Sequence, residues 1–312
     1  MPTPRRAVDI SQEAVSDREA LKRLMRPLRL SGGSQVPCAR IGSGTPVICL
    51  PMVAETNFVY ARQIQALACD HEFIVYEPRL SRTSRVAVAD RAEEVQLVLD
   101  ALEIDSAHVY AWSDTGSAAY HLAKSRPDRC RSLCLVGLAD RYTFPAPVRY
   151  LANAAYRNPG ERLIPPLLLN LLLGYYLSGE RTPAGWVRRE ARAIPGFLRL
   201  FKHSVLPNLI EHRPAEGEIA VPTLALCGDR DRLLTVDQAR RMAGLIGPHC
   251  DFKVVPGGEH FLPYATPEPV NSALRDFYAS LDGMAGPGDM EGVEGAGGVD
   301  SAGGGRAALP DT

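Results

Sequence analysis

Seven short apolar runs, separated by helical patterns, constrain this chain more than any other feature. They are Val36–Ile41, Pro46–Leu50, Glu72–Tyr76, Ala107–Ala111, Ser132–Gly137, Pro222–Cys227 and Asp251–Val255. All are rich in Val, Ile, Leu and Cys, the pattern of strands buried on both faces. Between two of them, the stretch DRAEEVQLVLDAL (90–102) sets Ala92, Val95, Val98, Leu99 and Leu102 on one helical face, with Glu93 opposite. Strands alternating with helices predict an α/β fold, a mostly parallel sheet of roughly eight strands wrapped by helices. One stretch breaks the alternation. From 141 to 217 only helical patterns punctuated by prolines occur, which predicts a helical cap inserted into a core made of 26–140 and 218–282.

The ends read differently. Residues 1–25 are charged and are expected to be a flexible segment, at most a loose helix. Residues 283–312 hold 10 of the 27 Gly and no aromatic residue, too little apolar surface to offset ordering, and are expected to be a disordered tail. The 35 Lys+Arg against 36 Asp+Glu leave a net charge of -1, so no basic footprint points to nucleic acid. Seven Cys, with no CxxC pair and no His/Cys cluster at zinc spacing, point to no metal and no disulfide framework. Cys49, Cys134 and Cys227 lie inside apolar runs and read as small buried hydrophobes. The N-terminus has no apolar stretch and so no secretory signal. The longest apolar run, Leu163–Leu177, contains two Pro and an Asn and is too short to span a bilayer. A cytoplasmic setting without cofactors is the expectation.

Chemistry enters where strands end. The run Ala107–Ala111 leads into Trp112-Ser113-Asp114-Thr115-Gly116-Ser117 and then a helical pattern. A Ser at a sharp strand-to-helix turn exposes its hydroxyl above the sheet, with the following N–H groups aimed at what it attacks. A Ser between small residues is equally the sequence of a helix cap. Two further residues tip the balance: Asp231 in the loop after Pro222–Cys227, and His260 just beyond Asp251–Val255. All three sit at carboxyl ends of strands, the edge where open α/β sheets bind ligands.

In these motifs the sequence resembles the α/β-hydrolase superfamily, in its branch with a helical lid. The resemblance runs from about Leu28 to Leu281 and rests on RIGSGTPVICL, DRAEEVQLVLDALEI, AWSDTGSAAYHLAKSRPDRCRSLCLVGLA, VPTLALCGDRDRLLTVDQARRM and VPGGEHFLPYATPEPV. The elbow is similar to the GWSDGG form of lidded hydrolases near the biphenyl-hydrolase-like enzymes. By position the resemblance implies Ser113 as nucleophile, Asp231 as the acid and His260 as general base. Asp229 is the alternative acid, though beside Gly228 it reads as a turn residue. His108, within a strand, and His121, on the next helix, read as structural.

Two loops depart from the family pattern. The oxyanion hole needs two backbone N–H donors, which the resemblance assigns to Asp114 and Met52. Where the family has His-Gly-x, however, this chain reads Leu50-Pro51-Met52, and the proline restricts its own backbone and that of Leu50. After the third run, Glu72–Tyr76, the family's D-x-x-G-x-G-x-S has become Glu77-Pro-Arg-Leu-Ser-Arg-Thr-Ser84, without either Gly.

The insertion is apolar, with Tyr150, Tyr156, Tyr175, Tyr176 and Trp186 adding aromatic area; any part facing Ser113 would make an apolar pocket for an acyl chain or polycyclic ring. Arg188, Arg189 and Arg192 read as a solvated helix face. The leading expectation is a serine hydrolase acting through an acyl-enzyme on an ester, thioester or lactone of an apolar small molecule. The alternatives on the same fold are an acyltransferase, cyclase or rearrangement enzyme of secondary metabolism, and a non-catalytic ligand-binding member. Nucleophilic-Asp chemistry is disfavoured because Ser113 holds that position. The small-molecule substrate is the expected partner, with a homodimer as the assembly to test.

Overall fold

A computed structural model describes residues 10–79, 86–157, 166–194, 197–211 and 218–282. Eight strands form one sheet in the order β1-β2-β4-β3-β5-β6-β7-β8. They are β1 (Arg26–Arg29), β2 (Gln35–Gly42), β3 (Thr45–Leu50), β4 (His71–Tyr76), β5 (Ala107–Trp112), β6 (Cys130–Val136), β7 (Thr223–Gly228) and β8 (Cys250–Val255). The first two pairings, β1 with β2 and β2 with β4, are antiparallel, and the rest are parallel. Each of the seven apolar runs of the sequence is a strand. The eighth strand, β1 (RPLR), has no apolar run to announce it, because it is a largely exposed edge.

The two sheet faces bury separate cores. Helices α3 (Val88–Ala101), α4 (Thr115–Ser125) and α10 (Val236–Ile246) cover one face, with Val95, Val98, Leu99, Leu122, Met242 and Ile246 against Val109 and Leu133. Helices α1 (Ile10–Leu24), α2 (Ala61–Leu67) and α12 (Pro267–Asp282) cover the other, where Leu21, Ile64, Leu274 and Tyr278 meet Val47, Phe73 and Tyr110. Every residue of β5 is buried, and each Val or Leu so buried contributes about 1.5–3 kcal/mol. Helix α10 shows how locally its boundary is set: Thr235 Oγ1 accepts from Gln238 N and Gln238 Oε1 accepts from Thr235 N, a closed capping box.

The N-terminal expectation requires correction. Residues 10–24, read as part of a flexible segment, form α1, with Ala14 and Leu21 buried in the core and Asp17 and Arg18 buried beside them. A charged sequence hid this because its charges are paired. Glu13 binds Arg62, Asp17 accepts from Tyr264 Oη at 2.7 Å, and Arg18 pairs with Glu190. The tail reading, 283–312, lies outside the described residues.

Between β6 and β7 the described residues hold only helical segments: α5 (Ala146–Arg157), α6 (Pro166–Tyr176), α7 (Ala184–Ala193), α8 (Phe197–Leu200), a π-turn over Phe201–Val205, and α9 (Leu206–Glu211). They bury a third cluster, including Leu173, Phe201, Leu206 and Leu209, over Val53, Ala139 and Leu233 at the carboxyl edge of the sheet. The strand order reverses at β3, which lies between β4 and β5. In open α/β sheets that switch opens a crevice beyond the strand ends, and the candidate residues lie there.

Candidate active site

Ser113 follows the last residue of β5 and has φ = 60°, a left-handed conformation uncommon for a residue with a side chain. Several contacts impose it. Ser113 N donates to Val136 O at 2.8 Å, which ties the turn to β6, and Gly116 N donates to Ser113 O at 3.1 Å. Gly116 lets the turn pack closely: a Cβ there would stand 3.0–3.2 Å from the Leu138 side chain, which would have to shift slightly. Thr115, the larger residue in a position usually held by Gly, fits because its hydroxyl is fully used. It donates to Trp112 O at 2.7 Å and accepts from Trp112 N at 3.0 Å.

The turn brings Ser113 Oγ within 2.8 Å of His260 Nε2, and His260 Nδ1 lies 2.8 Å from Asp231 Oδ2. Ser113 and His260 are 4% and 2% exposed. The other oxygen of Asp231 accepts from Leu233 N at 2.8 Å and Leu234 N at 3.3 Å, which fixes the carboxylate. Asp229 does something else: it accepts from Gly257 N at 2.7 Å across the neighbouring turn. Trp112 Nε1 donates to His260 O at 2.7 Å, so the residue before Ser113 also holds the backbone of the His loop. A short helix, α11 (Leu262–Ala265), follows it at once.

Met52 and Ser113 line the same cavity from two neighbouring strand ends, since β3 and β5 pair with Leu50 opposite Ala111, and Asp114 directly follows Ser113. Tyr60 Oη donates to Leu50 O at 2.7 Å and accepts from Trp112 N at 3.2 Å, bridging these two ends. The Asp114 side chain is fully buried against Arg91, with Nη1 to Oδ2 at 2.6 Å. Burial pushes its pKa up, and the Arg91 guanidinium opposes that shift. Asn208 on α9 donates to Asp114 O at 2.8 Å.

Above Ser113 lies a narrow, partly open cavity. Its walls come from the insertion (Phe144, Leu151, Leu173, Tyr176, Phe201 and Leu209 among them) together with Met52, Trp112 and Leu233. No charged side chain lines it among the described residues, and Ser113 and His260 form its polar floor. A smaller apolar cavity shares Met52, Trp112, Leu173 and Leu177 with it and extends toward Phe58, Val187 and Phe261.

The other sequence candidates fall outside this centre. His108 bonds Ser132 Oγ at 2.7 Å, and burial holds its pKa down at about 3, a neutral core histidine. His121 is exposed on α4. Arg188 Nε donates to Ala184 O on its own helix, while Arg189 and Arg192 are exposed on α7. Trp186 packs into the core with Phe58, Phe261 and Tyr264, whereas Tyr150 and Tyr175 are exposed. The thiols of Cys49, Cys134 and Cys227 are buried, and burial raises the pKa of each, which removes them as nucleophiles.

Sequence reasoning missed two buried charges beside the centre. Arg91 left a trace: it sits on the apolar stripe of α3, where a lone charge asks for a partner. Glu259, immediately before His260, left none; it accepts from Arg181 N, Thr182 N and Thr182 Oγ1 in the turn between α6 and α7. Among the described residues no group of His, Cys, Asp and Glu has the makings of a metal site, and no helix is long and apolar enough to cross a membrane.

Comparison with known proteins gives a consistent picture. No protein-family model matches the chain. The polyketide synthase ThaQ of Burkholderia thailandensis is 28% identical over 255 residues, covering 75% of this chain, which spans 12% of that protein's length. The protein described as carbamate hydrolase RutD from Azorhizobium caulinodans is 26% identical over 259 residues, 77% of this chain and 94% of RutD. Among solved structures, a thermophilic esterase from Thermogutta terrifontis superposes with a TM-score of 0.66 at 19% identity, over 82% of this chain and 98% of that one, a likeness of fold. The eight-stranded, mostly parallel sheet has the fold of these structures, and the sequence relatives point with it to the α/β-hydrolase superfamily.

Proposed function

We propose that the protein is a serine hydrolase that cleaves an ester or thioester of an apolar small molecule through an acyl-enzyme. The observation that carries this reading is the hydrogen-bonded line Ser113–His260–Asp231, standing at the floor of an apolar cavity. His260 takes the Ser113 proton as Oγ attacks the carbonyl carbon, then protonates the leaving group. Asp231 holds the proton on Nδ1, which leaves Nε2 free to accept, and stabilises the imidazolium. The N–H groups of Met52 and Asp114 receive the developing oxyanion. A water activated by His260 then releases the acid.

The cavity supports a neutral, apolar acyl group, because among the described residues no charged wall residue meets a substrate charge. Helices α5–α9 act as the lid over the centre in this reading, with 26–140 and 218–282 as the core and 141–217 as the cap. Reaction of wild-type protein with a fluorophosphonate, followed by peptide mass mapping, should place one adduct on Ser113 and none in Ser113→Ala. Absence of that adduct in wild type would favour a non-catalytic ligand-binding protein.

A second reading replaces the attacking water by a substrate hydroxyl or amine, giving acyl transfer or cyclisation. Two observations favour it: the apolar lining of the cavity, and the match to part of a polyketide synthase, which suits secondary metabolism. Turnover in oxygen-18 water separates the two, since only hydrolysis labels the product acid.

A further inference from the structure

We propose that Arg91 is the positioning residue that assembles the oxyanion hole, holding its two donor segments to each other through one buried guanidinium. The inference rests on the hydrolase reading above and explains how a Leu50-Pro51-Met52 loop can serve it. Arg91 lies in the first turn of α3 and is 8% exposed. Its Nη1 donates to Asp114 Oδ2 at 2.6 Å, while Nη2 donates to Pro51 O at 3.1 Å and Met52 O at 3.3 Å. Loop and elbow, on different strands, are thus bound to the same planar group.

The bond to Pro51 has a consequence for Met52. Pro51 C=O and Met52 N–H belong to one peptide unit, which is planar and trans, no cis bond occurring among the described residues. In a trans unit the C=O and N–H point in opposite directions. Fixing the carbonyl on Arg91 therefore aims the Met52 N–H away from α3. A family loop with glycine adopts its orientation through backbone freedom; this loop has proline instead, and an external donor takes over that task. The second consequence is electrostatic. Asp114 places a buried carboxylate directly after the nucleophile, where an uncompensated negative charge would oppose a developing oxyanion. The Arg91 guanidinium cancels it.

Three variants test this: Arg91→Met, Arg91→Lys, and Arg91→Met/Asp114→Asn. The double variant removes both charges, leaving no unpaired ion in the interior, and Arg91→Lys keeps the charge while losing the forked geometry. With an apolar p-nitrophenyl ester, the double variant is expected to lose about 10²-fold in kcat, the cost of one oxyanion donor, with KM within about threefold. Affinity for an alkylboronic acid, which presents a tetrahedral oxygen, should fall in step with kcat, while affinity for the product acid stays constant. Arg91→Lys should fall between wild type and the double variant. Wild-type kcat in either Arg91→Lys or the double variant would overturn the proposal. Equal losses of boronate and product affinity would also overturn it, since they describe a general collapse of the site. If wild type neither turned over the ester nor reacted with a fluorophosphonate, the hydrolase reading itself would fall, and this inference with it.

Discussion

At the scale of single residues, the backbone of Ser113 separates stability from activity. Its φ of 60° costs a residue with a Cβ about 1–2 kcal/mol, and glycine escapes that cost. Ser113→Gly is therefore expected to unfold at higher urea, with a gain of about 1 kcal/mol, while turnover of an apolar ester disappears. Ser113→Ala keeps the strain and should lose turnover by roughly 10⁴-fold or more. A Ser113→Gly protein less stable than Ser113→Ala would contradict this account of the turn. The two acids of the β7–β8 region separate just as sharply. Asp231→Asn should lower kcat by about 10⁴-fold, because the amide favours the wrong imidazole tautomer. Asp229→Asn weakens only the bond from Gly257 N, with kcat unchanged and a stability loss of about 1 kcal/mol. Steady-state kinetics beside urea titrations read both. Ser113, Asp231 and His260 were legible in the sequence because each lies just beyond a strand of the sheet in a recognisable loop. Arg91 was not: a charge on an apolar stripe says that a partner exists and is silent about which strand end supplies it.

At the scale of elements, the runs that became β3 to β7 were legible because burial on both faces demands largely apolar residues, whereas β2 and β8, only partly buried, were legible through the apolar residues they do bury. β1 and α1 escaped for the opposite reason. An exposed edge strand needs no such residues, and a helix can bury charges when their partners come from distant elements, as Arg62 and Tyr264 do for α1. The loop after β4 repeats that lesson. Glu77 accepts from Glu55 N at 2.6 Å and from Asn57 Nδ2 at 3.2 Å, so it ties the end of β4 to the loop that carries Met52. Burial pushes its pKa from 4.5 up to about 7. A carboxylate with a raised folded-state pKa binds its proton more tightly in the native protein than in the unfolded one. Its contribution to stability is complete below pH 4.5 and is lost as pH rises through about 7. Wild type minus Glu77→Gln, measured as urea unfolding free energy against pH, should therefore fall between pH 4.5 and 7 and be flat outside that window. A difference that rises across the window would show that the bonds to Glu55 and Asn57 outweigh burial.

At the scale of the whole molecule, the helices inserted between β6 and β7 are held to the α/β core by buried polar ties as well as by packing. Glu259 grips the turn between α6 and α7, Asn208 on α9 grips the backbone at Asp114, and Arg18 of α1 pairs with Glu190 of α7. The last of these unites three parts of the chain. Glu190 borders the smaller cavity, and Arg18 also lies over the Phe58 ring, 5.1 Å from its centroid. Both side chains are nearly buried, at 7% and 10% exposure, so removal of one leaves the other without its ion-pair partner in the interior. Arg18→Met and Glu190→Gln should each cost about 3–5 kcal/mol. The double variant Arg18→Met/Glu190→Met replaces the pair by apolar groups and should recover most of that loss, since burying two ions is itself costly. The double-mutant cycle, read by urea unfolding, is then expected to give a coupling of more than about 1 kcal/mol. Strict additivity would mean that α1 and α7 are held by Trp186, Phe58 and their apolar neighbours alone. The same double variant should leave Ser113 reactive toward a fluorophosphonate, because neither side chain touches the line from Ser113 to Asp231. A coupled loss of stability without loss of labelling would place this ion pair in the attachment of the insertion and outside the chemistry beneath it.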